Sequence, residues 1–128
     1  MRQFLPTSPY IGHLGMQLRL MEPDVVELVL PFANALVTTG TIVHGGAIAS
    51  LIDTAAAVAA WSNTAVPEKV RGVTVNLTVT YLAIASKEDL LAVARVLRRG
   101  RNLVYLDVEV RSASGSAIAR GLVTYRLG

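Results

Sequence analysis

Gly45 to about Ser62 is the one stretch of this 128-residue chain that reads as a long helix. Ala dominates it, Leu51, Ile52 and Val58 fill it, and neither Gly nor Pro interrupts it after Gly46. It is apolar nearly all round, and such a helix is buried. What surrounds it reads as strand. Met16–Glu22 and Val25–Pro31 show partial alternation about Pro23-Asp24, a turn signal, and predict a β-hairpin. Phe32 to Val43 reads as a loop ending in Thr-Gly-Thr, and Asn63 to Lys69 as a second loop around Pro67. Val73–Ala83 is β-branched with a period of two. Leu91–Arg99, Leu103–Ser112 and Ala117–Leu127 follow, joined by short turns at 99–102 and 112–116. A hairpin, one buried helix and a strand meander predict an α+β architecture, with an antiparallel sheet layered on a single helix.

The length suits one domain over residues 1–128. Hydrophobic residues make up 52% and charged residues 16%, which excludes a disordered chain. A small domain has too little interior for so much apolar surface, so an oligomer is expected. The net charge of +3 is compatible with an anionic ligand and far from a nucleic-acid-binding composition. The absence of cysteine excludes disulfides, thiolate metal sites and a cysteine nucleophile. Two unpaired histidines argue against a dedicated zinc site. Met1–Tyr10 holds two prolines and no apolar core of signal-peptide length. The apolar run Ala47–Ala60 carries Asp53 and is too short to span a bilayer. A soluble, cytoplasmic protein is expected.

Chemistry concentrates where the helix begins. Gly45 and Gly46 open it. Glycine permits close approach to the backbone, and first-turn amides lack intrahelical partners. Such an end binds anions or stabilises an oxyanion, and it is equally a plain tight turn. Asp53 is the sole charge between Gly45 and Ala60. A buried carboxylate must be paired or functional, unless it turns to solvent. Ser50, Asp53 and Thr54 share one face as a polar stripe. His44 sits just before the helix, placed to cap it, to serve as general acid or base, or to donate to a substrate.

Geometry couples these groups. Gly45 and Asp53 lie about 12 Å apart along a helix. An oxyanion donor and a nucleophile or base must each come within about 3 Å of their targets. One copy of the helix can hardly serve one carbonyl with both. Two antiparallel copies can, so a single active site built from these residues belongs at a twofold interface.

At this point the chain resembles the hotdog-fold acyl-CoA thioesterases of the PaaI-like branch. The resemblance is carried by His44-Gly45-Gly46 with Asp53 nine residues after the histidine, inside Leu51-Ile52-Asp53. It extends through Gly72-Val73-Thr74-Val75-Asn76-Leu77 with Thr80-Tyr81-Leu82, the Arg99-Gly100-Arg101 turn and Gly121–Tyr125. Together these cover nearly the whole chain from Gly15 onward.

The resemblance implies a hotdog fold, a strongly curved antiparallel sheet wrapped around one long central helix. It implies homodimers joined edge to edge, often paired into homotetramers, with the active site between protomers. It assigns the Gly45 backbone N–H to polarise a thioester carbonyl. Asp53 of the partner chain is assigned as nucleophile or as base for water. Thr74 positions water or substrate, and His44 supports the carbonyl or the loop. Gly46, Ser50 and Thr54 fall among the substrate-binding positions. No metal or redox cofactor is implied, because coenzyme A is part of the acyl-CoA substrate.

There is one departure. Relatives often carry an asparagine six residues before the histidine, where this chain has Thr38, with Asn34 four residues earlier. Either Thr38 or Asn34 takes that role.

Arg95, Arg98, Arg99 and Arg101 form the densest basic patch. Guanidinium groups suit the phosphates of coenzyme A, so Arg99, Gly100 and Arg101 are candidate contacts. A solvated basic strand end explains the patch equally well. His13, in a stretch that tends to form a short helix in the family, reads as structural. The sequence thus points to an enzyme releasing a free acid and CoA. A non-catalytic acyl-CoA-binding or regulatory protein on the same fold is the alternative, and the acyl group stays open.

Overall fold

The computed structural model describes residues 8–64 and 71–128. Most of the loop read over Asn63–Lys69, and most of Met1–Tyr10, lies outside the described residues.

A short helix α1 (Pro9–Leu14) leads into strands β1 (Gln17–Glu22) and β2 (Val25–Leu30). Pro23-Asp24 makes the turn between them, with Asp24 at φ 69°, a conformation that aspartate tolerates better than most residues. The segment Phe32–Val43, read as loop, holds a 3-10 turn at Asn34–Leu36 and a small hairpin of β3 (Val37–Thr39) and β4 (Ile42–Val43). Strands of two or three residues are too short to show a period, so the sequence carried no sign of them. Helix α2 (Gly45–Trp61) follows, then β5 (Val73–Tyr81), β6 (Leu90–Arg99), β7 (Leu103–Ser112) and β8 (Ala117–Arg126).

Six strands form one antiparallel sheet in the order β1-β2-β6-β7-β8-β5. It closes over α2, and the helix packs against β2, β5, β6, β7 and β8. Period-two alternation decides which side chains meet it. Val26, Leu28 and Leu30 of β2, Leu90, Ala92 and Ala94 of β6, and Val104, Leu106, Val108 and Val110 of β7 all point inward and are buried. Ten of the seventeen α2 residues are buried as well, so the helix is covered on most sides. Fully enclosing Leu51 and Ile52 stabilises the fold by about 1.5–3 kcal/mol each.

The alanines let the sheet come close. At Gly121 of β8 the approach is tight: a Cβ there would stand 2.5 Å from Ile52 Cγ2.

The end of α2 is tied by Arg99. Its guanidinium donates to the carbonyls of Ala60 (2.9 Å) and Ala59 (3.2 Å), and its Nε donates to Asp24 Oδ1 (2.8 Å). Asp24 N–H in turn donates to Ser62 Oγ at 2.8 Å. Last-turn carbonyls have no helical donors, and a cation at that end also meets the negative pole of the helix.

The two sheet edges differ. β1 has a register shift between Leu18 and Leu20 and carries Arg19 and Glu22. β5 runs nine residues with no proline or charge, and Val73 and Val75 on it are exposed.

Candidate active site

Helix α2 begins at Gly45 because His44 caps it. The His44 backbone is extended, and its Nδ1 accepts the Gly46 N–H at 2.7 Å. Of the three roles open to His44 in the sequence, the structure shows the cap. With Nδ1 accepting, a neutral ring carries its proton on Nε2. A side chain on Gly46 would press on this ring, since a Cβ would stand 2.9 Å from Nδ1.

The remaining first-turn amides are largely committed. Ala47 and Ile48 donate to the His44 carbonyl at 3.0 and 3.3 Å, and the His44 N–H donates to Leu36 O at 2.7 Å. Among the described residues no group accepts from the Gly45 N–H. The Gly45 carbonyl accepts from the Tyr81 hydroxyl at 2.6 Å.

Asp53 lies two turns along α2, half-buried, facing the start of β5. Its Oδ1 accepts from Thr74 Oγ1 at 2.6 Å. A hydroxyl bond to a carboxylate is short and about twice as strong as a neutral one. The structure therefore brings Asp53 and Thr74 together.

Ser50, on the same stripe, donates to the Gly46 carbonyl at 2.9 Å and pairs with the Tyr10 hydroxyl at 2.9 Å. Thr54 is half-buried next to Asp53. Asn34 and Thr38 are exposed on the segment that leads to His44, one in the 3-10 turn and one in β3. Within one chain, Gly45 and Asp53 stay two turns apart on the helix.

Tyr125 of β8 stands opposite Thr74 of β5 in the sheet. It is buried, and its hydroxyl accepts the Trp61 indole N–H at 3.0 Å. Burial pushes its phenol above the ordinary range. The Trp61 bond works the other way, and the Asp53 charge adds to the rise. A Cβ at Gly72 would collide with this hydroxyl, which explains the glycine just before β5.

The basic patch divides. Arg99 turns inward to Asp24 and the α2 carbonyls. Arg98, Gly100 and Arg101 line an open hollow of about 700 Å³ with Asn102, Leu103 and Tyr105. Arg95 is exposed on β6, and His13 is exposed on α1.

Tyr81, Tyr10 and Tyr125 were not singled out in the sequence, because each meets its partner across 36 or more positions of chain. Among the described residues no three His, Cys, Asp or Glu side chains gather as metal ligands would. Among them, too, no helix is long and apolar enough to cross a membrane.

Known proteins share this fold. The thioesterase superfamily model matches residues 40–119, from the glycine before β4 into β8. The medium/long-chain acyl-CoA thioesterase YigI of Escherichia coli is 29% identical over 140 aligned positions, covering 98% of this chain and 89% of that protein. A thioesterase family protein from Silicibacter pomeroyi superposes with a TM-score of 0.89 at 27% identity, over 99% of this chain and 96% of its own. The Escherichia coli PaaI protein of the phenylacetic acid degradation operon shares the fold, with a TM-score of 0.88 at 20% identity over 98% of this chain and 88% of its own. The match spans more than half of the chain, and the sheet-wrapped helix agrees with it: this chain belongs to the thioesterase superfamily and is a thioester hydrolase on a hotdog fold.

Proposed function

We propose that the chain, acting as one domain over residues 1–128 in the cytoplasm, hydrolyses acyl- or aryl-acyl-CoA to the free acid and CoA. The site lies between two copies. The Gly45 N–H of one copy donates to the thioester oxygen. Asp53 of the other acts at the carbonyl carbon, as nucleophile or by drawing the proton from an attacking water. The C–S bond then breaks and the thiolate of CoA takes up a proton; where Asp53 is the nucleophile, water then hydrolyses the acyl-Asp53 anhydride to release the acid. No cofactor takes part.

The observation that carries this reading is the allocation of hydrogen bonds at α2. Asp53 is held by Thr74, while the Gly45 N–H alone among the first-turn amides has no acceptor among the described residues. A donor left open at a helix N-terminus suits developing negative charge.

Strand β5 supports the twofold arrangement. An uncharged nine-residue edge invites pairing with another strand. Thr74, which holds Asp53, and Tyr81, which holds Gly45, sit about 23 Å apart along it at 3.3 Å per residue. Two β5 edges paired antiparallel about an axis near Leu77–Thr78 set Thr74 of each copy level with Tyr81 of the other. That brings each Asp53 toward the other copy's Gly45. A homodimer is the least assembly that completes the site, and a homotetramer pairs two such dimers.

Around the reaction centre, His44 holds the turn, and Gly46, Ser50 and Thr54 line the approach of the acyl group. Asn34 or Thr38 holds the water. Arg101 receives CoA phosphates at the hollow, Gly100 leaves the space beside it open, and Arg99 anchors that turn from inside.

The experiment is CoA release from a panel of phenylacetyl-, benzoyl- and short, medium and long alkyl-CoAs, with Asp53→Asn beside the wild type. Loss of turnover by about a thousandfold or more in the variant, with folding and oligomeric state retained, supports the reading. Wild-type protein that binds these acyl-CoAs and releases no CoA replaces it with a non-catalytic binding role.

A further inference from the structure

Tyr81 is the last residue of β5, and it is 50% exposed. A phenol so placed has water within reach. This one donates instead to the Gly45 carbonyl, at 2.6 Å and across 36 positions of chain. Its ring also rests on Gly45: a Cβ there would stand 3.3 Å from both Cζ and the hydroxyl oxygen. The tyrosine therefore grips the residue whose N–H is uncommitted.

The peptide unit carrying that N–H is already fixed on its other side. Its carbonyl belongs to His44 and accepts from both Ala47 and Ile48. Two donors on the carbonyl polarise the unit and strengthen its N–H as a donor. On the far side of the Gly45 Cα, where no Cβ restricts rotation, the Gly45 carbonyl opens the α2 ladder. Tyr81 adds a side-chain donor to that carbonyl and holds it from outside the helix.

We infer that Tyr81 is a positioning residue for the thioester carbonyl, fixing the direction of the Gly45 N–H toward the oxygen as it gains charge. The inference rests on the reading of Gly45 as the carbonyl donor. A preorganised donor stabilises the charged transition state more than the neutral ester, so misdirecting it lowers kcat and leaves KM nearly unchanged.

Tyr81→Phe keeps the ring on Gly45 and deletes only the hydroxyl. The expected result is kcat lower by about tenfold or more, with KM moved by less than about twofold. Two inert ligands give a readout that a purely structural role does not move. One is an alkyl-CoA thioether, which has no carbonyl. The other is a ketone analogue with a methylene in place of the thioester sulfur. Y81F weakens binding of the neutral ketone by no more than about twofold, as for the neutral thioester, and leaves the thioether unchanged. The C=O stretch of the bound ketone also moves back toward its value in water.

An unchanged kcat, or equal weakening of both ligands, overturns the inference. So does a Y81F chain that fails to fold, because the hydroxyl would then hold the fold and not the turn. The two failures stay distinguishable. Wild-type protein without hydrolysis, or D53N at the wild-type rate, overturns the proposed function. An active wild type with inactive D53N and unchanged Y81F overturns the Tyr81 inference alone.

Discussion

Gly121→Ala adds one methyl group where α2 rests on the sheet. The new Cβ would stand 2.5 Å from Ile52 Cγ2 and 3.4 Å from Ile52 Cδ1. Carbon atoms in contact sit at about 3.5–4.0 Å, so about 1 Å has to be found. Ile52 is fully buried and Gly121 is buried, so neither escapes into solvent. Two responses remain. Ile52 leaves its rotamer, at about 0.5–1.5 kcal/mol, or α2 lifts from β8. Overpacking of this kind costs about 1–3 kcal/mol in total. At this chain length the melting temperature falls about 3–5 °C per kcal/mol, so a drop of about 3–15 °C is expected.

The lift matters for chemistry, because Asp53 follows Ile52 directly. Its 2.6 Å bond from Thr74 does not survive a 1 Å displacement as a good hydrogen bond. With Asp53 in its proposed role, misplacing it by 1 Å costs up to about a hundredfold in rate. Calorimetry and CoA release at 25 °C measure both effects. Ile52→Ala alone leaves a cavity at about 2–5 kcal/mol, and in the double variant the methyl added at position 121 no longer meets the isoleucine side chain. The pair is therefore expected to be more stable than the sum of the single changes by about 1–3 kcal/mol. A G121A protein that melts with the wild type, or a cycle that is simply additive, refutes the reasoning.

Two further predictions concern stability. Arg99→Met removes the donors on Ala59 and Ala60 and leaves Asp24 without its cation. A cost of about 2–3 kcal/mol is expected in urea titration, and Arg99→Lys, which lacks the planar fork, recovers less than half of it; full recovery by Lys would show that the fork is unused. Tyr125 predicts a pH dependence. Burial raises its phenol above the ordinary value of 10.0, so the folded chain holds this proton more tightly than the unfolded chain. The resulting stability is complete below that value and is lost as pH rises through the folded pKa. Denaturant titrations from about pH 9 to 11 should show a decline that Tyr125→Phe flattens, and an equal decline in both proteins refutes it.

The long helix was legible because an Ala-rich run without breakers has one favourable conformation, and its apolar circumference required cover on every side. The meander β6–β8 was legible because half-buried strands alternate with period two. Strand and helix ends were off by one or two residues, as at Tyr81, where β5 stops two residues short of Ala83. That stop is itself a tertiary event, since the Leu82 and Ala83 N–H groups both donate to Ile118 O and the regular ladder with β8 ends there. Asp53 stood out because a lone carboxylate in an apolar helix demands a partner, yet nothing in the sequence named Thr74 as that partner, and only the fold brought the two together.

By itself, then, the sequence determined the long helix, the long strands, the buried faces and the candidate atoms Asp53 and Gly45, because these depend on local period and on the cost of burying charge. Only the tertiary structure decided which side chains meet them. Arg99 belonged to a basic patch by composition, and the unfilled carbonyls at the end of α2 turned it inward. His44 had three possible roles, and the backbone angle at the helix start made it a cap. Tyr81 reached Gly45 because β5 ends where α2 begins, a distance of 36 positions in sequence and 2.6 Å in space. Contacts of that range leave no periodic trace in a chain, since they depend on how whole elements pack and not on the order of neighbours.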